Sequence, residues 1–355
     1  MRRRSRQLFV LMFLAPRHAA TGFISTIHRA SFRPKVPIAM SSSVAENTIA
    51  DTGDLIRLKW SVTTADGKPL PEKNQVFDQG ECRLVLGDGG FLPCLHSTVL
   101  GMKPGEKKEE FVPPAQAFGE KKPDMGPVEI PASAAPEGLE VGMLVRLVTG
   151  ATARVTDMNH ETVTIDANDP MAGETLKLSV EVLSVDSGAT SLELADFAIG
   201  CFWGAELAFQ REKGVISTKV GYTQGSKENP TYQEVCSGST GHTECVQVKF
   251  DPSETAYSRL CSLFWERLGD SRYLPDQVGN DRGTQYRHGI YFHSEEQKMI
   301  SEQTLQEAAL LGPKIYTEIK AAEKFWDAED YHMQYLQKGG QDARKQATET
   351  IRCYG

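Results

Sequence analysis

A change of hydrophobic period near residue 186 constrains this chain more than any other feature. Before it, short β-rich runs recur between Gly and Pro: LIRLKWSV, CRLVLG, KKEEFVP, LVRLVT, TVTIDA and LKLSVEVLSV, all within 54–185. Their alternation and turn spacing predict an antiparallel β domain. The small, polar run DSGAT (186–190) reads as a linker. Beyond it, strand-like LADFAIG and ECVQVKFD mix with helical YSRLCSLFWERL and EEQKMISEQTLQEAALL, which predicts an α/β or α+β domain. No internal repeat is visible. With 355 residues the chain is long enough for two cores. Its 40% hydrophobic and 24% charged residues are ordinary usage for chains that bury them.

The net charge of −8 gives a nucleic-acid or anionic-membrane partner no electrostatic reason, so neither is expected. The amino terminus is different in kind. The first 45 residues contain no Asp or Glu, and residues 1–35 carry a dense set of arginines. A basic start, an apolar run from Leu8 to Ala15 and small residues at Ala19 and Ala20 have the order of a signal segment; a Ser- and Arg-bearing, acid-free stretch (21–43) follows. Residues 1–47 are therefore expected to be a targeting presequence. It resembles the two-part plastid presequences of algae with complex plastids, with Phe23 near the cut; a mitochondrial presequence is the alternative. The apolar run is shorter than the roughly 20 residues a bilayer span requires.

Seven cysteines (82, 94, 201, 236, 245, 261 and 353) are too sparse for a small secreted disulfide framework, and no C-x-x-C pair suggests zinc or a redox dithiol. Free thiols in a reducing compartment are expected. An odd count leaves at least one thiol that cannot pair within the chain.

In the first half, GDLIRLKWSVTTADGKPL, LVLGDGGFLPCLHSTVLGMKPGEKKEEFVPPAQAFGE and TVTIDANDPMAGETLKLSVEVLSV resemble the FKBP-type peptidyl-prolyl isomerases, in the bacterial-type subfamily with an inserted flap. The most specific pieces are GMKPGEKK with PPAQAFGE, and NDPMAGETL. The resemblance covers nearly all of 54–185 and implies an FKBP-like domain over 48–188. Isomerisation must lower a barrier of ~18–20 kcal/mol for turning the peptide bond. The family does so in an apolar, aromatic-lined cleft, to which Trp60, Phe77, Asp78, Phe91, Leu92, Leu95 and Phe118 correspond. Trp60 and Phe118 stand where tyrosines are usual, Cys94 where a glycine is usual, and Leu95 and Leu178 where larger aromatics are frequent. Each lost tyrosine hydroxyl removes a hydrogen bond contributing about 1 kcal/mol, so weak isomerase activity is expected. The alternative is a β-domain core serving as a peptide-binding chaperone module. The histidine-rich metal-binding tail of some relatives is absent, and no metal is expected.

In the second half, residues 194–200 read as a buried strand, and the apolar spacing from Cys201 to Phe209 opens a helix. Cys201 then lies at a helix N-terminus, where free N–H groups and the dipole favour a thiolate. By itself such a cysteine is more often an inert core residue. The remaining motifs change that weighting: GCFWGAE (200–206), GYTQG (221–225), NPTYQEVCSG (229–238), TGHTE (240–244), GNDRGTQYR (279–287) and IRCYG (351–355). Their order and spacing resemble the type A peptide methionine sulfoxide reductases across 189–355. The resemblance implies a ferredoxin-like-cored α+β domain and a thiol-dependent reduction of methionine S-sulfoxide. A sulfoxide is poorly electrophilic at sulfur until its oxygen is protonated or strongly hydrogen-bonded, so a thiolate needs an acid and donors opposite it.

By that resemblance Cys201 is the nucleophile, Glu244 the acid, and Tyr232 and Tyr286 the phenols that hold the oxygen. Phe202 and Trp203 form the wall that receives the S-methyl group, and Asp281 supports substrate placement. Taken singly, Tyr232 and Tyr286 could be packing residues, Asp281 a turn residue and Trp203 core. Cys353, in a mobile-looking tail, is the resolving cysteine for a Cys201 sulfenic acid, with thioredoxin as reductant and no cofactor. Cys236, Cys245 and Cys261 are expected to be buried free thiols, and His242 to be structural. Plastid and cyanobacterial relatives often carry a second cysteine before the last one, which is missing here; RLGDSRYLPDQVGND replaces a His-Asp-Pro turn common in relatives. The expectation is a monomeric, two-domain repair enzyme acting on oxidised client proteins. The rival is a redox-sensing chaperone or binding protein whose reductase half does not turn over.

Overall fold

The computed structural model describes residues 48–71, 74–89, 92–136, 138–146, 152–187, 191–310 and 312–352. The presequence assigned to 1–47, Phe91 and Cys353 lie outside the described residues.

The first half contains, in chain order, β1 (Leu55–Thr64), β2 (Gly80–Val85), α1 (Pro93–Val99), β3 (Lys107–Val112), β4 (Val128–Pro131), β5 (Leu144–Arg146), β6 (Thr152–Met158), β7 (Thr162–Asp166) and β8 (Leu176–Asp186). Along β1 the side chains alternate, with Ile56, Leu58, Trp60 and Val62 buried and Arg57, Lys59 and Ser61 exposed. On β8, Leu176, Leu178, Val180 and Val182 alternate likewise. The antiparallel register puts Leu58 opposite Val182, Trp60 opposite Val180 and Val62 opposite Leu178. A slip of one residue would turn both apolar sets to water, so the register follows from the sequence. The sheet runs β2-β1-β8-β3. Helix α1, opened by Pro93 at a position that needs no N–H donor, contributes Cys94, Leu95 and Val99 to the core that covers this sheet. The segment between β3 and β8 forms a second sheet, β4-β7-β6-β5, with its own small core of Ala153, Val155, Val163 and Ile165. This is the inserted flap. Asp186, the first residue of the expected linker, is instead the last residue of β8.

The second half contains β9 (Glu193–Ala198), α2 (Phe202–Gln210), β10 (Val215–Thr223), α3 (Tyr232–Cys236), β11 (Thr243–Phe250), α4 (Tyr257–Leu268), β12 (Gln277–Val278), β13 (Asp281–Arg282), β14 (Gly289–Phe292), α5 (Glu295–Ala309), β15 (Glu318–Ala321), β16 (Trp326–Asp327) and α6 (Tyr335–Lys338). The main sheet runs β15-β14-β9-β11-β10-β16. Its centre is antiparallel, β14-β9-β11-β10, with α2 joining β9 to β10 and α4 lying between β11 and β14. That is the ferredoxin-like βαββαβ arrangement, with β15 added in parallel beside β14. Phe197 of β9 anchors the helical side, stacked on Phe209 of α2 at 4.8 Å and 6.0 Å from Phe264 of α4. Helix α4 buries Tyr257, Leu260, Cys261, Phe264, Trp265 and Leu268, the three- and four-residue spacing of one face. Among the described residues no helix is long and apolar enough to cross a membrane.

The two halves touch, a point the sequence left open. Asp88, after β2, accepts from Lys249 Nζ at 2.6 Å and from Ser217 Oγ at 2.8 Å. Arg83 of β2 pairs with Asp251 at 2.6 Å and with Glu254 at 3.0 Å. These contacts run between polar strand edges, so they fix orientation more than they stabilise. Asp88→Ala is expected to lower the unfolding free energy by about 1–2 kcal/mol, the net of charge-assisted hydrogen bonds. The change should appear as a lower urea midpoint with an unchanged slope. Asp66→Ala, which removes the exposed partner of Lys68, should leave the midpoint at the parental value. A parental midpoint for Asp88→Ala would show that this contact contributes nothing.

Candidate active site

The site is built where β9 ends and α2 begins. Gly200 makes the turn with a φ of +67°, and a Cβ there would lie 2.5 Å from Cβ of Val278. Only glycine gives both the left-handed backbone and the close approach of the β12–β13 hairpin. Cys201 follows as the N-cap of α2, half-buried. Its thiol therefore sits beside the free N–H groups of the helix start, as the sequence predicts.

Glu244 reaches the same point from β11. Its Oε2 accepts from the backbone N–H of Phe202 at 3.1 Å, which places the carboxyl on the first turn of α2 next to Cys201. The side chain is almost wholly buried. Burial pushes its pKa up from 4.5 to about 8; the Asp281 charge adds to the rise, and the Phe202 hydrogen bond opposes it. The carboxyl is thus neutral at pH 7 and retains a proton to give. Glu206, also in GCFWGAE, is pushed to about 8 by burial as well. It is bound differently, accepting from Gln334 N at 2.8 Å and from Thr218 Oγ1 at 3.2 Å, and it ties α2 to the turn before α6.

Tyr232 and Tyr286 converge on Glu244 from two other elements. Tyr232 is the first residue of α3, whose start is fixed by a capping box between Thr231 and Glu234. Burial lifts its hydroxyl well above the ordinary range, with Cys236, Glu244 and Tyr286 adding to the rise. Tyr286 ends a short 3₁₀ turn after β13; burial lifts it too, followed by the charges of Glu244, Asp281, Cys236 and Cys201. Both phenols therefore stay protonated and can donate. Asp281, first residue of β13, is close enough to act electrostatically on Glu244 and Tyr286.

Phe202 is fully buried against Tyr222 and His332, so it backs the site rather than lining open space. Trp203 is half-exposed, stacked on Tyr335 at 4.0 Å, and its indole N–H donates to His332 Nδ1 at 3.1 Å. His332 and Tyr335 belong to a group the sequence reading passed over. Glu329, in the same run, accepts from Tyr222 OH and from Tyr232 N–H, both at 2.9 Å, and so joins β10 to α3. The signal was there in EDYHMQYL (329–336), an acid, aromatics and a histidine in a stretch with no helical or strand period.

Two expectations are corrected. Cys245 and Cys261 are buried as expected, but Cys236 is exposed: α3 is one short turn of helix and its last residue faces solvent, near the Tyr232 hydroxyl. The carboxy-terminal segment is not loose up to residue 352. Arg211, at the end of α2, donates to Asp342 O at 2.7 Å and to Glu349 O at 2.6 Å, clamping a strap at both ends. His242 is buried with Nε2 on Lys227 O at 2.7 Å, a structural placement.

In the first half, Trp60 stacks on Phe77 with centroids 5.3 Å apart, and Leu92, Leu95 and half-buried Phe118 pack in the same cluster. Asp78 is exposed beside them, its Oδ2 accepting from Lys345 N at 2.9 Å.

The family model for peptide methionine sulfoxide reductase matches residues 193–352. The one for FKBP-type peptidyl-prolyl cis-trans isomerase matches residues 46–137. A peptide methionine sulfoxide reductase of Solanum lycopersicum is 48% identical over 171 residues, covering 46% of this chain and 86% of that protein. One of Brassica napus is 49% identical over 169 residues, covering 46% of this chain and 65% of that protein. Among solved structures, Mxr1 from Saccharomyces cerevisiae in reduced form aligns with a TM-score of 0.40 at 31% identity, over 43% of this chain and 88% of that one. Mxr1 has also been solved in complex with Trx2.

A carboxylic acid held neutral has consequences for stability. The folded pKa of Glu244 lies above its unfolded value, so the folded state keeps a proton that the unfolded state releases between about pH 4.5 and 8. This contribution is full below about 4.5 and is lost as pH rises to about 8. Infrared difference spectra should show protonated-carboxyl bands of Glu244 and Glu206 that vanish through about pH 8. Glu244→Gln should remove one band and reduce proton uptake on folding at pH 6–7 by about one. An unchanged spectrum in that variant would mean that Glu244 is ionised at neutral pH.

Proposed function

Since the chain belongs to the peptide methionine sulfoxide reductase family, carried here by residues 193–352 behind an FKBP-type domain, we propose that it reduces methionine S-sulfoxide in proteins through Cys201. The carrying observation is the neutral carboxyl of Glu244 at the helix start that presents Cys201. The Cys201 thiolate attacks the sulfoxide sulfur while Glu244 delivers its proton to the sulfoxide oxygen, and the Tyr232 and Tyr286 hydroxyls donate to that oxygen. Trp203 bounds the slot for the S-methyl group with Phe202 packed behind it, and Asp281 supports substrate placement. The oxygen passes to Cys201 as a sulfenic acid, and the methionine thioether leaves. Cys353 then condenses with the sulfenic acid, losing water and forming a disulfide, which a thioredoxin dithiol reduces.

The FKBP-type domain is proposed to bind proline-containing segments of clients and to isomerise them weakly. A folded client buries much of its methionine, so a domain that holds unfolded segments raises the supply of exposed sulfoxide. For the acid-free amino terminus we propose import into a plastid.

Two outcomes are expected. Cys353→Ser should reduce one equivalent of the S epimer of a blocked methionine sulfoxide and then stop, with no turnover by thioredoxin; full turnover would assign resolution to another thiol. In the parent, kcat/KM should fall as pH rises through about 8, where Glu244 loses its proton. Glu244→Gln should abolish that limb and cost about 10²–10⁴-fold in rate; a parental rate in this variant would remove Glu244 from the mechanism.

A further inference from the structure

The strap that leads towards Cys353 lies against the FKBP-type domain. Ala343 N donates to Val76 O at 3.0 Å, and Lys345 N donates to Asp78 Oδ2 at 2.9 Å. Gln337 Nε2 also donates to Val76 O, at 3.1 Å. Two main-chain donors of the strap thus cap the rim, one on the Val76 carbonyl and one on the Asp78 carboxylate, from a segment that bends at Arg344 and turns at Lys345. Between these two acceptors Phe77 turns inward and stacks on Trp60. The rim therefore presents its polar groups to the strap and its aromatic ring to the core.

The strap is built to stay there. The Arg211 clamp holds its two ends, Gln346 N donates to Arg211 O at 2.8 Å, and Ala343 packs with Leu207 and Leu336. Strap residues Asp342, Arg344 and Glu349 form one wall of a cavity of about 620 Å³, whose other walls are Val76 of the rim and Arg154 and Pro170 beside it. An extended peptide approaching the Val76–Asp78 edge from this side meets the strap first.

We propose that residues 343–345 are a built-in competitor: they cover the Val76–Asp78 rim, and a proline-containing client segment reaches it only after displacing them. The inference rests on the reading of Phe77 and Asp78 as part of the isomerase cleft. The strap belongs to the reductase half, so the edge of one domain is gated by a segment of the other. Because displacement and binding are linked, apparent client affinity is reduced by the fraction of molecules in which the strap is docked.

The test uses the full chain and a labelled, unstructured peptide containing one proline. Lys345→Pro removes the N–H that Asp78 accepts together with the Nζ bonds to Gln210 O and Val215 O that hold the strap, and should bind the peptide at least roughly tenfold more tightly than the parent, the span of more than one net hydrogen bond. Hydrogen exchange on the parent gives a second reading that needs no variant. The amides of Ala343 and Lys345 should lose protection when the peptide saturates the protein. Measurable binding with equal affinity in both proteins and unchanged protection would overturn the gate while leaving the cleft reading standing. No binding to either protein would overturn both.

Discussion

The proposed chemistry depends on keeping a carboxylic acid neutral beside a helix N-terminus. Those two demands oppose each other, because free N–H groups and the dipole of α2 favour an anion. Burial decides the outcome: Glu244 gives one oxygen to the Phe202 N–H, yet its pKa rises from 4.5 to about 8. The nearby Asp281 charge works in the same direction. The anion-favouring site is left to Cys201, which heads the helix itself, so the same turn can support a thiolate and an undissociated acid within one small volume. Gly200 makes this possible, since any Cβ there would collide with Val278 and move the hairpin that carries Asp281.

Around that pair, the rest of the second domain acts as a frame. Glu329 holds Tyr222 and the first N–H of α3 together, which fixes where Tyr232 points. Glu206 fastens α2 to the turn that presents His332, and His332 orients the Trp203 indole. Each of these is a buried or half-buried polar group with a specific partner, which is the condition for preorganisation rather than mere packing. The phenols and the acid stay protonated for the same reason, low access to water.

Much of this was legible in the sequence, though unevenly. The alternation in β1 and β8 and the spacing in α4 gave their elements directly, because each buries a single face and the pattern has nowhere else to go. Cys201 and Glu244 come from short motifs whose order carries the information. By contrast, β10 was missed: VISTKVGYT is interior to the sheet over part of its length, carries an irregular register near Val215, and so shows no clean alternation. The group at 329–336 was missed because it sits in irregular chain, where periodicity says nothing. The exposure of Cys236 depended on α3 being only one short turn, which composition does not reveal.

The strap shows what no reading of separate domains could supply. A family resemblance treats each half as complete, and each half does have its own core. Yet the contacts between them are selective: Asp88, Arg83, Lys249 and Asp251 are polar residues on strand edges and adjoining turns, while Val76 and Asp78 meet main-chain donors from the far end of the chain. Hydrophobic burial would bind the halves without direction. Hydrogen bonds to a rim specify position, and a client that takes over the same acceptors offsets part of the cost of displacing the strap. That makes a rim of this kind suited to a competitor and a client in turn, and a chain that joins the two domains can make one depend on the other.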